Sequence, residues 1–265
     1  MRRPVFIICA LFFLCPLILF GGIEWEAHTI TKIKDQESKV ILHGYAQKGM
    51  VREEYIEVSG EKNQLTKKGM YWLYCADKND IYIVDPEEKA YFVMNIDSVA
   101  KFMSALGQFI KFTISNPKIE VKELETENIL GIDCRHLQIN SSYDMATKIM
   151  IMKVKSHTEE LKEIWATVEH MEDISLNFSK KSFSLGIAEL DSLIRKEMEA
   201  YGNIGFILKS ITTSKTSDAK GKISSESTTE MVIENLTVKD LSKDLFKIPS
   251  DYKQIDFKLK METEK

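Results

Sequence analysis

The sequence is poor in the residues and patterns that mark several common chemistries. It has 5 prolines and 12 glycines in 265 residues, too few for long disordered linkers. No glycine-rich phosphate loop, no Gly-x-Ser-x-Gly elbow and no His-Glu-x-x-His pattern occurs, so the motif signatures of nucleotide binding, serine hydrolysis and zinc proteolysis are missing. There is no basic excess: the net charge is -4. Loss of residues 1–22 would remove Arg2 and Arg3 and no acid, leaving -6. A nucleic-acid partner is disfavoured, because phosphate binding needs a basic footprint. No repeat of fixed period is visible.

Cysteine is scarce as well. Cys9 and Cys15 sit in an apolar run at the N-terminus and read as small hydrophobes. That leaves Cys75 and Cys134. An oxidising compartment permits a disulfide between them; two separate buried thiols is the other reading.

What is present begins with that run. Arg2 and Arg3 precede an uncharged stretch from Pro4 to Ile23, the pattern of a secretory signal. The cleavage region is poor, since Phe20 or Leu19 would occupy the position three before the cut. Val5 to Ile23 is just long enough to span a bilayer core. Residues 1–22 are therefore a signal peptide or a retained membrane anchor. A lipoprotein anchor does not fit, because Leu14 precedes Cys15 where a small residue is needed. Either way the body is expected outside the cytoplasm, periplasmic or secreted, with membrane contact through the N-terminal segment if it is uncleaved.

The body is organised around Gly69 to Asn95. Met70–Ala76, Ile81–Val84 and Ala90–Met94 are rich in β-branched and aromatic residues. They are separated by the turn runs Asp77–Asp80 and Asp85–Glu88, with Pro86 presetting a tight reversal. Three antiparallel strands follow. The first is apolar on both faces, so other elements must cover both.

Trp25–Lys34, Lys39–Gln47 and Val51–Val58 read as strands before this meander, with Lys48-Gly49 a turn and Ser59–Lys68 a polar loop. After it, Asp97 caps an expected helix whose stripe is Val99, Phe102, Met103, Leu106, Phe109, Ile110 and Thr113, stopped by Asn116-Pro117. Lys118–Leu124 and Asp133–Ser142 form the arms of a hairpin, and Thr147–Val154 is another strand. Ser156-His157-Thr158-Glu159 fits a capping box opening a second helix through Leu161, Ile164, Trp165, Val168 and Met171. A third helix spans Ile187–Tyr201, with Gly202 at its end. Gly205–Lys215 and Lys222–Asn235 form a final Ser- and Thr-rich hairpin suited to a sheet edge. A helical turn at Asp240–Phe246 leads to a charged tail, residues 257–265. About ten strands with three inserted helices make an α+β protein: an open, strongly curved antiparallel sheet with the amphipathic helices on its concave face, as one domain over residues 23–256.

Val84-Asp85-Pro86 between strands, together with Leu245-Phe246-Lys247-Ile248-Pro249-Ser250-Asp251-Tyr252, resembles an uncharacterised secreted bacterial family of the lipoprotein-carrier-like (LolA/LolB-type) superfamily. The resemblance covers roughly residues 25–256. It implies a half-barrel with a helical lid over an apolar cavity. It also implies a non-enzymatic envelope protein binding a lipid or acyl chain, with no cofactor. The carriers' lid-locking arginine has no counterpart at Arg52, Arg135 or Arg195 that a motif identifies. A structural or sensory module acting through an envelope protein partner is the alternative.

Expected ligand-binding residues are Trp72, Phe92, Phe102, Phe109, Met150, Trp165 and Met171, since aromatics and methionine adapt to irregular apolar ligands; Met152 shares their apolar surroundings. A plain packed core uses the same residue types. Cys134 and His136 could share a strand face, with Cys75, His43 and His28 matching metal ligands by type alone; a buried thiol beside a surface imidazole is the simpler reading. His157, His170 and the run Glu53, Glu54, Glu57 read as solvated. Asn140, Asn177 and Asn235 begin glycosylation acceptors, relevant only in a eukaryotic secretory protein.

Overall fold

The computed structural model describes residues 21–60, 66–98, 101, 110–149, 152–167, 187–202 and 204–256. The strands are β1 (Gly22–Ile33), β2 (Gln36–Gln47), β3 (Met50–Ser59), β4 (Tyr71–Cys75), β5 (Asp80–Asp85), β6 (Ala90–Asn95), β7 (Ile110–Glu123), β8 (Glu127–Ile129), β9 (Ile132–Ile149), β10 (Met152–Thr167), β11 (Ile207–Asp218), β12 (Ile223–Lys239) and β13 (Lys253–Gln254). Helix α1 spans Ala188–Tyr201, and residues 96–98 and 101 are also helical. All strands belong to one large open sheet in the order β13-β6-β5-β4-β3-β2-β1-β12-β11-β10-β9-β7, with β8 paired to β9. Every pairing is antiparallel except that of β13 with β6.

The hairpin turns follow local chemistry. Lys48 and Gly49 have φ of 50° and 74°, the two positive angles of a type I′ turn, whose twist matches its flanking strands. Leu130-Gly131 repeats this between β8 and β9, at 55° and 79°. At the Asp-Pro turn, Asp85 Oδ1 accepts from the amides of Glu87 (3.0 Å) and Glu88 (3.3 Å).

The doubly apolar meander is covered on both faces, as expected. One face joins Met70, Tyr74, Ile81, Ile83 and Phe92 to the large apolar cluster that includes Trp25, Cys134, Trp165 and Leu208. The other face carries Tyr71, Leu73 and Val84, which are covered by Leu241, Phe246, Leu245, Ile248 and Tyr252. The Leu245–Tyr252 segment is thus a clamp. Arg52 lies 3.8 Å over the Tyr71 ring and donates to the Leu245 carbonyl (3.1 Å). The chain then adds β13 beside β6, with the amides of Lys253 and Ile255 donating to the Lys89 and Tyr91 carbonyls.

Several expectations are corrected. The helix begun by a Ser156 capping box is strand β10 as far as Thr167, paired with β9 and β11. Helix formers such as Glu159, Glu160 and Lys162 are overridden by pairing on both sides. The strand Thr147–Val154 is the end of β9 and the start of β10, with Ile149 opposite Met152. Residues Ile110 and Thr113, placed in a helix, belong to β7; most of the rest of that helix, including Phe102 and Phe109, lies outside the described residues. Asn116-Pro117 is a bulge inside β7, with Asn116 at φ 54° and a register shift between Ser115 and Lys118. Proline is tolerated there because β7 ends the strand order among the described residues.

The β11–β12 hairpin is central, not an edge. Its hydroxyls form cross-strand pairs such as Thr31–Thr229 (3.1 Å) and Thr213–Thr228 (3.4 Å), a stabilising pattern within a sheet. The helix content is correspondingly lower than expected; α1 is as read, with Gly202 at φ 68° after its end, and it lies against β7.

Candidate functional site

The cross-strand register builds one unusual position on the large apolar face. Glu53 of β3 stands opposite Gly44 of β2 and Trp72 of β4. Trp25 lies across Gly44, its indole filling the space where a side chain would be: a Cβ at Gly44 would sit 1.9 Å from Trp25 Cε2. Along β3 the same face presents Val51 and Tyr55, and the flanking strands add Leu42, Ala46, Met70 and Tyr74. A carboxyl group therefore sits in a ring of aromatic and aliphatic side chains.

Its electrostatics follow from that setting. Burial alone pushes the Glu53 pKa up; no hydrogen bond or neighbouring cation among the described residues offsets it. Burial, with the Glu53 charge adding to it, pushes Tyr55 up to about 12. An acid with a raised pKa in an apolar setting is a common mark of a functional position. The solvated reading of the Glu53, Glu54, Glu57 run is thus corrected for Glu53. Glu54 instead pairs with Arg52 at 2.9 Å, and Glu57 is exposed.

Of the expected ligand-binding residues, Trp72, Phe92 and Trp165 all fall within this apolar cluster. Phe92 and Trp165 are buried, and Trp72 is half-buried. Trp165 is engaged on its own account: its ring stacks on His136 at 4.1 Å, and Lys209 Nζ lies 4.5 Å from it. Phe102, Phe109, Met150 and Met171 lie outside the described residues. Met152, which neighbours them in sequence, is exposed.

The metal-ligand types named from sequence are not brought together among the described residues. His43 pairs with Glu24 (2.7 Å) and His136 with Glu127 (3.0 Å). His28 lies between Glu234 (2.9 Å) and Glu26 (3.3 Å). The ligand-type atoms of Glu26, His28 and Glu234 lie within 4.8 Å of one another, but both imidazole nitrogens already face carboxylates. Lys239 holds the Glu24 carboxyl below its usual range, assisted by His43. His157, expected to be solvated, is half-buried and meets Asp144 at 2.7 Å. Cys75 and Cys134 are separate free thiols. They lie on β4 and β9, far apart in the strand order, and belong to different apolar clusters, so the disulfide is not formed. An open groove of ≈ 530 Å³ crosses β7, β9, β10 and β11, but its walls are polar, including Lys118, Glu120, Asn140 and Glu159.

The site and fold define a class: a mostly-β protein with one large, curved, open antiparallel sheet bearing an apolar, aromatic face. Within that class the chain belongs to the family described as domain of unknown function DUF4412, whose model matches residues 32–252. No curated protein matches it. Among solved structures it is similar to an uncharacterised conserved protein of Thermus thermophilus, at 9% identity over 89% of this chain and 91% of that one, with a TM-score of 0.38. A Vibrio parahaemolyticus domain named for outer-membrane lipoprotein sorting shares 12% identity over 86% and 89%, at 0.31. A DUF1329 family protein of Desulfovibrio piger shares 10% over 87% and 91%, at 0.25. Likenesses this distant carry no weight for function.

Proposed function

We propose that this chain is a non-enzymatic protein of the cell envelope that holds an apolar ligand, a lipid or acyl chain, against the aromatic face of its sheet. The observation that carries the reading is the face itself. A continuous apolar cluster runs from β6 to β9 across the sheet, and Tyr55, Trp72, Met94 and Phe206 on it remain only half-buried. Aromatic and methionine side chains left partly open suit a ligand better than they suit water. The basic start and apolar run of residues 1–23 support placement outside the cytoplasm. No helix of the described residues is long and apolar enough to cross a membrane, which says nothing about crossing by strands. The half-barrel of the lipoprotein-carrier-like superfamily is the architecture this reading implies.

The test is solvent extraction of protein purified from its own host, followed by mass spectrometry, alongside titration with an uncharged fluorescent apolar probe. A co-purifying lipid and saturable probe binding support the reading. Repeatedly empty protein with no probe binding defeats it. The alternative, a structural or sensory interaction module with a filled core acting through its acidic surface or its final hairpin, loses the hairpin part of its support, because that hairpin lies within the sheet.

A further inference from the structure

Glu53 narrows the ligand class, and the inference rests on the apolar-ligand reading just given. The carboxyl is ringed by Val51, Tyr55, Trp72 and the Trp25 indole that lies over Gly44. It accepts no hydrogen bond and meets no cation among the described residues. A face meant only for hydrocarbon has no use for an acid at its centre, and a leucine there would be more stable. Electron-rich ring faces beside a carboxylate are the chemistry that recognises ammonium groups.

We propose that Glu53, Tyr55, Trp25 and Trp72 form a seat for an ammonium group, so that the ligand is a cationic amphiphile: an aliphatic chain ending in a protonated or quaternary amine. The chain lies along the apolar face toward Met94 and Phe92. The ammonium supplies the counter-charge that Glu53 lacks among the described residues, and the aromatic rings replace its water. An anionic head of the same chain length meets the Glu53 carboxyl and is rejected.

The experiment is isothermal titration of the folded protein with three amphiphiles of equal chain length, kept under their micelle concentrations. They are decyltrimethylammonium, decyl sulfate and an uncharged decyl glycoside. The ammonium should bind about tenfold or more tightly than the uncharged head, the scale of a desolvated charge-assisted contact, and the sulfate more weakly than either. Glu53→Gln should erase the preference for the ammonium while leaving the uncharged amphiphile within about twofold. Glu57→Gln, the same charge change at an exposed position, should leave the preference intact. Equal binding of all three heads, or an ammonium preference that survives Glu53→Gln, overturns the seat and leaves the apolar-ligand reading standing. Binding of none overturns both. Substituting Glu53 by Gln removes a charge from an apolar setting, so a loss of preference is not a folding failure if thermal unfolding stays cooperative at or above the parent midpoint.

Discussion

Replacing Gly44 by alanine should destabilise the protein although the position lies in the middle of a strand, where alanine ordinarily does better than glycine. The added Cβ would lie 1.9 Å from Trp25 Cε2, 2.2 Å from Cζ2 and 2.4 Å from Nε1. Carbon atoms in contact settle at about 3.5–4.0 Å, so the indole must shift bodily by roughly 1.5 Å or more. It has little room. Trp25 is 5% exposed, with Leu236 opposite on β12 and the Phe206 ring edge-on at 5.3 Å. Forcing extra atoms into a packed site costs about 1–3 kcal/mol. The glycine-to-alanine change returns about 0.5–1 kcal/mol through the unfolded chain. The net loss is about 1 kcal/mol, within bounds of about 0–2.5, or roughly 2–4 °C in Tm for a domain of this size.

Urea unfolding with an unchanged m-value is the assay, read as a double-mutant cycle with Trp25→Ala. The single tryptophan variant should lose about 3–5 kcal/mol. In that background Gly44→Ala should be neutral or stabilising. A Gly44→Ala variant as stable as the parent, or one equally harmful with and without Trp25, would refute the packing of Trp25 over Gly44 on which the site depends.

Three further outcomes follow from the same structure. Phe246→Ala should cost about 3 kcal/mol or more by uncovering Tyr71, Leu73 and Val84, and hydrogen exchange should rise first at the β5–β6–β13 edge. Tyr55 should stay un-ionised until about pH 12, visible as a late phenolate absorbance step lost in Tyr55→Phe. Because the folded form keeps its proton longer than the unfolded chain, stability from this group should fall as pH rises from the ordinary value of 10.0 toward about 12. Glu53 has the same sign: its raised pKa means stability declines as pH rises through and beyond the ordinary glutamate range. Glu53→Gln should therefore raise the unfolding midpoint at neutral pH and leave it unchanged in acid below that range.

Much of the sheet is legible in the sequence because its turns are. Asp77–Asp80, Asp85–Glu88 and Lys48-Gly49 mark reversals by residue type, and alternation between them identifies the strands. Helix α1 is legible from one stripe ending at Gly202. The misreading of β10 has a physical cause. Leu161, Ile164 and Trp165 happen to share helical spacing, and β10 is covered on both faces near its end, with Ile164 and Ala166 in one apolar cluster and Trp165 in another, so residues 164–167 are all buried and the sequence shows no alternation there. Asn116-Pro117 carries the same breaker chemistry whether it ends a helix or bulges an edge strand, so only the pairing of β7 with β9 distinguishes them. Glu53 is hidden by its acidic neighbours. The available signal is parity, since it shares a face with Val51 and Tyr55, but the weight of three glutamates in five residues points to solvent. The covering of Tyr71 and Leu73 by the C-terminal clamp is a long-range contact that no local pattern encodes.

Ligand binding on the aromatic face is tested by native mass spectrometry of the mature protein prepared from its own host without detergent. An added mass matching an amphiphile is expected, released on activation, and present in Gly44→Ala at reduced occupancy. A bare protein mass in gentle conditions, from preparations that also fail to bind an uncharged apolar probe, would contradict it.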